Sequence, residues 1–217
     1  MEMVIDSRFR GPAGSGNGGY CCGVFAARDE AEVTLRLPPP LDTPLRRDGD
    51  GRVWAGGELV AEVRNASVEL EPPPPVAWEE AVEAQRPDLD SPFPECFVCG
   101  HARGPEALHI HAGPVAGRDV VASPWVVADD TVGPEFVWAA LDCPGAYATG
   151  VIARRGVVVL GRLAARVDRV PEAGERCVVV GWPLGSDDRK HGAGTALFAE
   201  SGELLGVGRA VWIEPRG

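Results

Sequence analysis

Residues 18–28, GGYCCGVFAAR, are the best guide to the fold, because a similar stretch occurs at residues 145–155, GAYATGVIARR. Six of the 11 aligned positions are identical, at an offset of 127 residues. In each copy, apolar and small residues recur at i, i+1, i+4 and i+5, which favours a helix buried along much of its length. A glycine inside a helix costs about 1 kcal/mol relative to alanine. We therefore expect Gly23 and Gly150 to serve close packing.

A second pair of matching segments follows in the same order. Residues 57–69, GELVAEVRNASVE, and residues 202–214, GELLGVGRAVWIE, share five of 13 positions at an offset of 145 residues. A Gly-Pro pair also precedes each helical copy, at residues 11–12 and 133–134. The apolar runs on both sides of each Gly-Glu pair predict β-hairpins. Two matched pairs in register predict an internal duplication, in which each copy has a helix followed by strands.

The duplication divides the chain into an N-terminal repeat at 1–70, a linker at 71–94 and a C-terminal repeat at 95–217. The linker starts with four prolines in a row, which break regular structure, and 77–86 (AWEEAVEAQR) predicts a short helix. It is long enough to lie along the outside of the fold. A buried helix followed by antiparallel strands indicates the α+β class, with the helix on a sheet. Further strands are predicted at 3–10, 31–37, 107–113, 118–127, 157–169 and 176–183.

Composition limits the classes of function. The 217-residue chain has a net charge of −11 and no basic cluster, which argues against a nucleic-acid partner. No apolar run approaches the roughly 20 residues that cross a bilayer, and the N-terminus MEMVIDSRFR does not read as a signal peptide. We therefore predict a cytoplasmic protein without a membrane partner, whose six cysteines are free thiols.

Five segments resemble the hotdog thioesterase superfamily. GPAGSGNGGYCCGVFA (11–26) is similar to the loop and central helix of that family, and PFPECFVCG (92–100) to a segment that opens many of its domains. WAALDCPGAYATG (138–150) looks like the second helix start of double hotdog proteins. VLGRL (159–163), followed by ALFAESGELLGVGRAVWI (196–213), looks like their C-terminal sheet. The chain departs from the family after CFVCG, where HARGPEALHIH replaces an Asn-containing stretch with Gly-Leu.

The resemblance implies a double hotdog, in which the antiparallel sheet of each half wraps its own helix and the halves join edge to edge as a pseudo-dimer. It also implies an acyl thioester bound between the halves, near the helix N-termini. We accordingly predict a thioesterase for an acyl-CoA or acyl-carrier-protein substrate, without a cofactor. The alternative is a non-catalytic acyl-thioester-binding or assembly protein. A dehydratase is disfavoured because neither helix start has a histidine. Catalytic activity itself and a homodimer of double hotdogs are left open.

Candidate site residues stand at the two helix starts. Asp142 can act as catalytic acid or base, or nucleophile, and it can equally be a helix N-cap. Asn17 is assigned to catalysis together with Asp142, because it can orient water or the thioester, and it also suits an N-cap. The backbone amides of Gly18 and Gly19 can stabilise an oxyanion, although a glycine pair also permits close packing. Together with Gly145, these two glycines are assigned to substrate binding.

Tyr20 and Tyr147, which occupy matching positions in the two helical copies, are also assigned to substrate binding. Cys96 and Cys99 form a CxxC pair, and the histidines that follow could complete a zinc site. The pair is single, however, and two of those histidines alternate on a predicted strand. The segment is therefore interpreted as structural, and no metal is predicted.

Overall fold

The computed structural model describes residues 1–87 and 91–216, so residues 88–90 of the predicted linker lie outside the described residues. The helices are α1 (Gly18–Ala26), α2 (Trp78–Ala84), α3 (Pro134–Ala140) and α4 (Cys143–Ala148). The strands are β1 (Glu2–Val4), β2 (Glu30–Leu35), β3 (Pro44–Arg47), β4 (Arg52–Ala55), β5 (Glu58–Arg64), β6 (Gly113–Pro114), β7 (Val121–Val126), β8 (Val159–Val167), β9 (Arg176–Asp187), β10 (Lys190–Ala199) and β11 (Leu204–Ile213).

These strands form one antiparallel sheet whose order is symmetric about its middle. The order is β1-β3-β4-β5-β2-β8-β11-β10-β9-β7-β6. Going outward from the β2–β8 pair, β5 corresponds to β11, β4 to β10, β3 to β9 and β1 to β7, with β6 as an additional edge strand. At this seam Val33 pairs with Leu163, and both side chains are fully buried. Two duplicated halves joined edge to edge would produce this order, and both predicted Gly-Glu hairpins, β4–β5 and β10–β11, are present.

Helices α1 and α3 lie against each other in opposite directions on the inner face of the sheet. A Cβ atom on Gly19 would lie 2.6 Å from the Trp138 carbonyl oxygen, whereas one on Gly23 would lie 2.7 Å from the Glu135 Cα atom. The predicted packing role of Gly23 is therefore confirmed. Gly150 differs, because its φ of 70° places it in the left-handed region of a turn after α4.

The helix of the second copy departs from the prediction. Of the helix predicted at 145–155, only the first part is α-helical, in α4 (Cys143–Ala148). A 3-10 turn at Ile152–Arg154 follows α4. The conformation of Gly150 interrupts the helix between these elements. The helix that contacts α1 is α3, which precedes the matching stretch and was not predicted.

The strand predicted at 107–113 is wrong for most of its length. Only Gly113–Pro114 pairs within the sheet, as β6. The preceding residues instead donate backbone hydrogen bonds to the CxxC loop, from Leu108 to Phe97 and from Ile110 to Val98, at 2.9 Å each. His109 between them has a φ of 53°, which no regular strand accommodates. At 3–10, the strand is limited to Glu2–Val4, and a 3-10 turn follows at Ser7–Phe9.

Residues at the end of the first repeat and in the predicted linker lie on the outer face of the sheet. Arg166 and Arg209 on the sheet donate to the carbonyl oxygens of Val68 and Glu69, at 3.0 and 2.9 Å. Helix α2 follows, and its buried Ala81 belongs to a second hydrophobic core on that face. The larger core lies on the opposite face around α1, α3 and α4.

Candidate functional site

A cavity of about 340 Å³ lies between the halves, at the N-terminal ends of α1 and α4. Its walls come from the loop before α1 and the end of β2 in the first half, and from α4, the start of β8 and the end of β11 in the second. Loop residues between Ser91 and Cys99 close another side. The lining is mainly apolar, with a few polar groups gathered at the helix ends. Such a cavity suits a ligand with an apolar body and one polar reacting group.

Asp142 is the carboxylate of this cavity, and the structure brings it together with Asn17 and Gly19. Its Oδ2 atom accepts hydrogen bonds from Asn17 Nδ2 and from the Gly19 backbone N–H, both at 2.9 Å. Its Oδ1 atom is buried and has no partner among the described residues. Burial raises the pKa of Asp142 to about 7, against the lowering effect of those two donors. The carboxyl group is therefore suited to proton exchange near neutral pH.

The capping interpretation of Asp142 needs a correction, because its side chain does not cap α4. It instead accepts from the second residue of α1, which belongs to the other half of the molecule. Asn17 is the N-cap of α1 itself, since its Oδ1 atom accepts from the Tyr20 backbone N–H at 2.9 Å. Asn17 thus combines the capping role with that of orienting Asp142.

The glycines at the helix starts are required sterically. A Cβ on Gly18 would lie 2.8 Å from Leu160 Cδ2, and one on Gly19 would lie 2.4 Å from the Asp142 Cβ atom. A Cβ on Gly145 would lie 2.9 Å from Trp212 Nε1. Two of the three amides are already engaged, because Gly19 donates to the Asp142 side chain and Gly145 to the Asp142 carbonyl oxygen. Only the Gly18 N–H has no acceptor within the described part of the chain.

The two tyrosines lie in different surroundings. Tyr147 lines the cavity, and burial raises its pKa. Tyr20 is not a wall residue. Its ring stacks on Phe9 with centroids 3.9 Å apart, inside an aromatic group that also includes Phe97. The structure therefore does not bring Tyr20 to this cavity, because the ring packs between α1 and the neighbouring loops.

Trp212, near the end of β11, is a cavity residue that the sequence analysis did not single out. Its indole Nε1 atom is buried and has no acceptor among the described residues. A buried indole N–H without a partner is unusual in proteins. The sequence offers no signal for it, since Trp212 reads as an ordinary apolar strand residue.

Three cysteines from separate parts of the chain meet in the cavity wall. The Sγ atoms of Cys96, Cys99 and Cys143 lie within 4.8 Å of one another, and those of Cys96 and Cys143 are 3.8 Å apart. Asn17 Nδ2 faces two of them, at 3.7 Å from Cys96 Sγ and 3.9 Å from Cys143 Sγ. Hydrogen bonds from the neighbouring thiols, with backbone N–H groups of the CxxC turn, hold the pKa of Cys96 well below its usual value. All six cysteines are free, as predicted.

No protein-family model matches the sequence, and no curated protein matches it either. Solved structures do match over the whole chain. A hot dog fold protein of unknown function from Alicyclobacillus acidocaldarius has a TM-score of 0.63 and 11% identity, covering 100% of this chain and 93% of that one. The tesB protein of Mycobacterium avium subs paratuberculosis has a TM-score of 0.63 and 13% identity, covering 99% and 92%.

Acyl-CoA thioesterase II TesB2 from Mycobacterium marinum has a TM-score of 0.61 and 12% identity, covering 100% of this chain and 93% of that one. At such identities the likeness establishes the fold. The predicted double hotdog architecture is thereby confirmed over the full length. No helix in the described ranges is long and apolar enough to cross a membrane.

Proposed function

We propose that this double hotdog chain is a thioesterase that hydrolyses an acyl thioester of CoA or of acyl carrier protein. The observation that carries the proposal is the buried Asp142 carboxyl in the wall of an apolar cavity between the halves, with its Oδ1 atom unpartnered. An apolar cavity accommodates the acyl group, while the helix ends collect the polar groups that a thioester carbonyl needs. The structural neighbour from Mycobacterium marinum, an acyl-CoA thioesterase II, supports the same reaction class.

In the proposed reaction, Asp142 acts as general base. Its carboxylate takes a proton from a water molecule while the water oxygen attacks the thioester carbonyl carbon. The resulting tetrahedral oxyanion collapses, the carbon–sulfur bond breaks, and the thiol product leaves with the proton that Asp142 returns. Asn17 is a positioning residue in this scheme, since its Nδ2 atom fixes the Asp142 Oδ2 atom and leaves Oδ1 for the water.

Two hydrogen-bond donors of the cavity are open to the developing oxyanion. These are the Gly18 backbone N–H, at the first residue of α1, and the Trp212 indole N–H. Donors held rigidly in a water-poor site stabilise charge far better than the same donors in water. The Gly19 amide is omitted from this role because it already donates to Asp142.

The alternative function, a non-catalytic acyl-thioester-binding protein, also has an observation in its favour. Asp142 Oδ2 accepts from the second amide of α1, so the carboxyl contributes to joining the halves. A structural carboxylate of this kind needs no reaction to explain it. The same cavity would then bind the thioester and leave it intact.

Hydrolysis of a panel of acyl-CoA and acyl-carrier-protein substrates tests the proposal, with Asp142→Asn as the decisive variant. Asparagine keeps the shape and can still accept from Asn17 and Gly19, but it cannot take a proton from water. We expect kcat/KM to fall by about 10²- to 10⁴-fold, the usual contribution of a general base. Asp187→Asn, at the exposed end of β9, is the matched control and should hydrolyse like the wild type.

Full activity of Asp142→Asn would exclude Asp142 as the base. If no thioester is hydrolysed but a thioether analogue of acyl-CoA binds in the cavity, the non-catalytic alternative is correct. Circular dichroism of each variant shows whether a loss of activity is a loss of fold.

A further inference from the structure

We propose that Cys96, Cys99 and Cys143 form a binding site for a thiophilic divalent cation, with Zn²⁺ as the ion of best fit. This proposal differs from the prediction that the chain binds no metal. That prediction was based on the CxxC pair and the histidines that follow it, without Cys143. The histidines are not members of the group of potential ligands within the described residues. His109 instead faces the Gly104 carbonyl oxygen at 2.8 Å.

The geometry of the three sulfur atoms carries the proposal. A Zn–S bond of about 2.3 Å in a tetrahedral site places two sulfur ligands about 3.8 Å apart. Cys96 Sγ and Cys143 Sγ are 3.8 Å apart, and all three Sγ atoms lie within 4.8 Å of one another. A cation can therefore be accommodated among the three with small side-chain adjustments. The two-residue spacing of Cys96 and Cys99 is the spacing that zinc sites commonly use.

The backbone turn at 96–100 fixes the positions of Cys96 and Cys99. The turn closes with a hydrogen bond from Gly100 N–H to the Cys96 carbonyl oxygen at 2.8 Å. A Cβ on Gly100 would lie 2.5 Å from that oxygen and 2.5 Å from the Pro94 carbonyl oxygen. The chain thus has room only for glycine there.

Asn17 supplies a further donor at the site. Its Nδ2 atom faces Cys96 Sγ and Cys143 Sγ at 3.7 and 3.9 Å, and it also donates to Asp142. Amide donors around a metal-bound thiolate reduce the cost of burying its negative charge. The three side chains are buried, with exposed fractions of 3%, 6% and 6%, so a dication would also offset charge that solvent does not reach.

The fourth ligand would come from the cavity, because all three cysteines line it. Zinc sites with three protein ligands and one open position accept water or a substrate atom. Binding converts three thiols into thiolates, and their protons pass to solvent. The inference does not rest on the proposed hydrolysis, since a cation held by these thiolates is compatible with both candidate functions.

Metal analysis of the purified full-length chain tests the site. We expect about one zinc per chain, and in the zinc-free reduced protein we expect Co²⁺ to produce sulfur-to-cobalt charge-transfer absorption. Cys96→Ser, Cys99→Ser and Cys143→Ser should each weaken metal affinity by more than about 100-fold, because loss of a direct ligand exceeds the effect of its supporting groups. Cys177→Ala, which removes a buried thiol on β9 outside the cluster, should bind metal like the wild type.

A reduced wild-type chain that takes up neither Zn²⁺ nor Co²⁺ would overturn the site, and so would retention of both metals by Cys143→Ser. Formation of a Cys96–Cys143 disulfide in place of metal binding, seen by mass spectrometry of unreduced peptides, would overturn it as well. The wild-type cobalt spectrum does not depend on any variant folding. It also does not depend on hydrolysis, so failure of the metal site and failure of the proposed function are separate results.

Discussion

At the scale of single residues, Gly23 sets how closely α1 approaches α3. Its Cβ position lies 2.7 Å from the Glu135 Cα atom and 2.9 Å from the Trp138 Cβ atom, and the first of these is backbone that moves only with the whole helix. We expect Gly23→Ala to lower the free energy of unfolding by about 1–3 kcal/mol, because overpacking outweighs the better helix propensity of alanine. Urea unfolding of both proteins measures the difference.

Gly57→Ala is the matched control for this prediction. Gly57 lies in the β4–β5 turn, and a Cβ there would meet nothing within 4 Å. Its effect on unfolding should stay within about 0.5 kcal/mol. A Gly23→Ala protein as stable as the wild type would show that α1 and α3 are not in the described contact.

The residues of the site differ in how far the sequence could reveal them. Asn17 and Asp142 were singled out because both residue types stand out just before a predicted helix, although only the Asn17 side chain caps one. Their hydrogen bond to each other was not, since it joins positions 125 residues apart. For the same reason the CxxC pattern suggested only two thiol ligands. Cys143 joins them only because the fold brings the start of α4 to the CxxC loop.

At the scale of elements, the sequence correctly predicted the elements that depend on interactions between residues close in the chain. The hairpins β4–β5 and β10–β11 were found because apolar runs flank a Gly-Glu turn. Helix α3 was missed because only its first residue, Pro134, matches the first copy, so the predicted duplication drew attention to the following stretch. The prediction of a strand at 107–113 was wrong because residues in this segment form hydrogen bonds with the CxxC loop and not with a strand. The sequence pattern does not show which partner such a segment has.

Arg169, Glu175 and Glu203 form a charged cluster that joins the β8–β9 loop to the β10–β11 hairpin. The contribution of this cluster to stability should depend on pH. Arg169 forms two hydrogen bonds to Glu175, at 2.9 and 2.6 Å, and two to Glu203, at 3.1 and 3.0 Å. The hydrogen bond from Arg169 holds the pKa of Glu175 below its ordinary value of 4.5. A carboxylate with a lowered folded-state pKa stabilises the fold above its unfolded pKa, and this contribution is lost as the pH falls through the folded pKa.

We therefore expect Arg169→Gln to lower the free energy of unfolding by about 1 kcal/mol at neutral pH, because the group is partly exposed to solvent. The difference from wild type should shrink as the pH falls below the ordinary pKa of Glu175. Denaturant unfolding over a pH series measures it. Arg52→Gln, which removes an exposed pair with Asp50 at 3.5 Å, is the control and should show almost no difference at any pH. A difference for Arg169→Gln that is constant across the series would contradict the assignment to Glu175.

At the scale of the whole molecule, the two halves depend on each other. They share the β2–β8 ladder, the cavity has walls from both, and α1 of the first half receives a hydrogen-bond acceptor from Asp142 of the second. Separate domains joined by a linker would have no such exchange. The predicted duplication therefore does not divide the chain into separate units of folding, and we expect the unit of folding to be the full chain.

Leu163 allows a test of whether the full chain unfolds as one unit, because it is fully buried at the β2–β8 seam and pairs with Val33 across it. Leu163→Ala should lower the free energy of unfolding by about 2–5 kcal/mol. It should also shift the transitions seen by far-ultraviolet circular dichroism and by tryptophan fluorescence together, because one cooperative unit yields coincident transitions. Leu184→Ala, on a side chain 44% exposed at the far end of β9, is the control and should leave both transitions unchanged. Two separated transitions, with only one of them moved by Leu163→Ala, would mean that each half folds on its own and that the seam is a docking contact between finished domains.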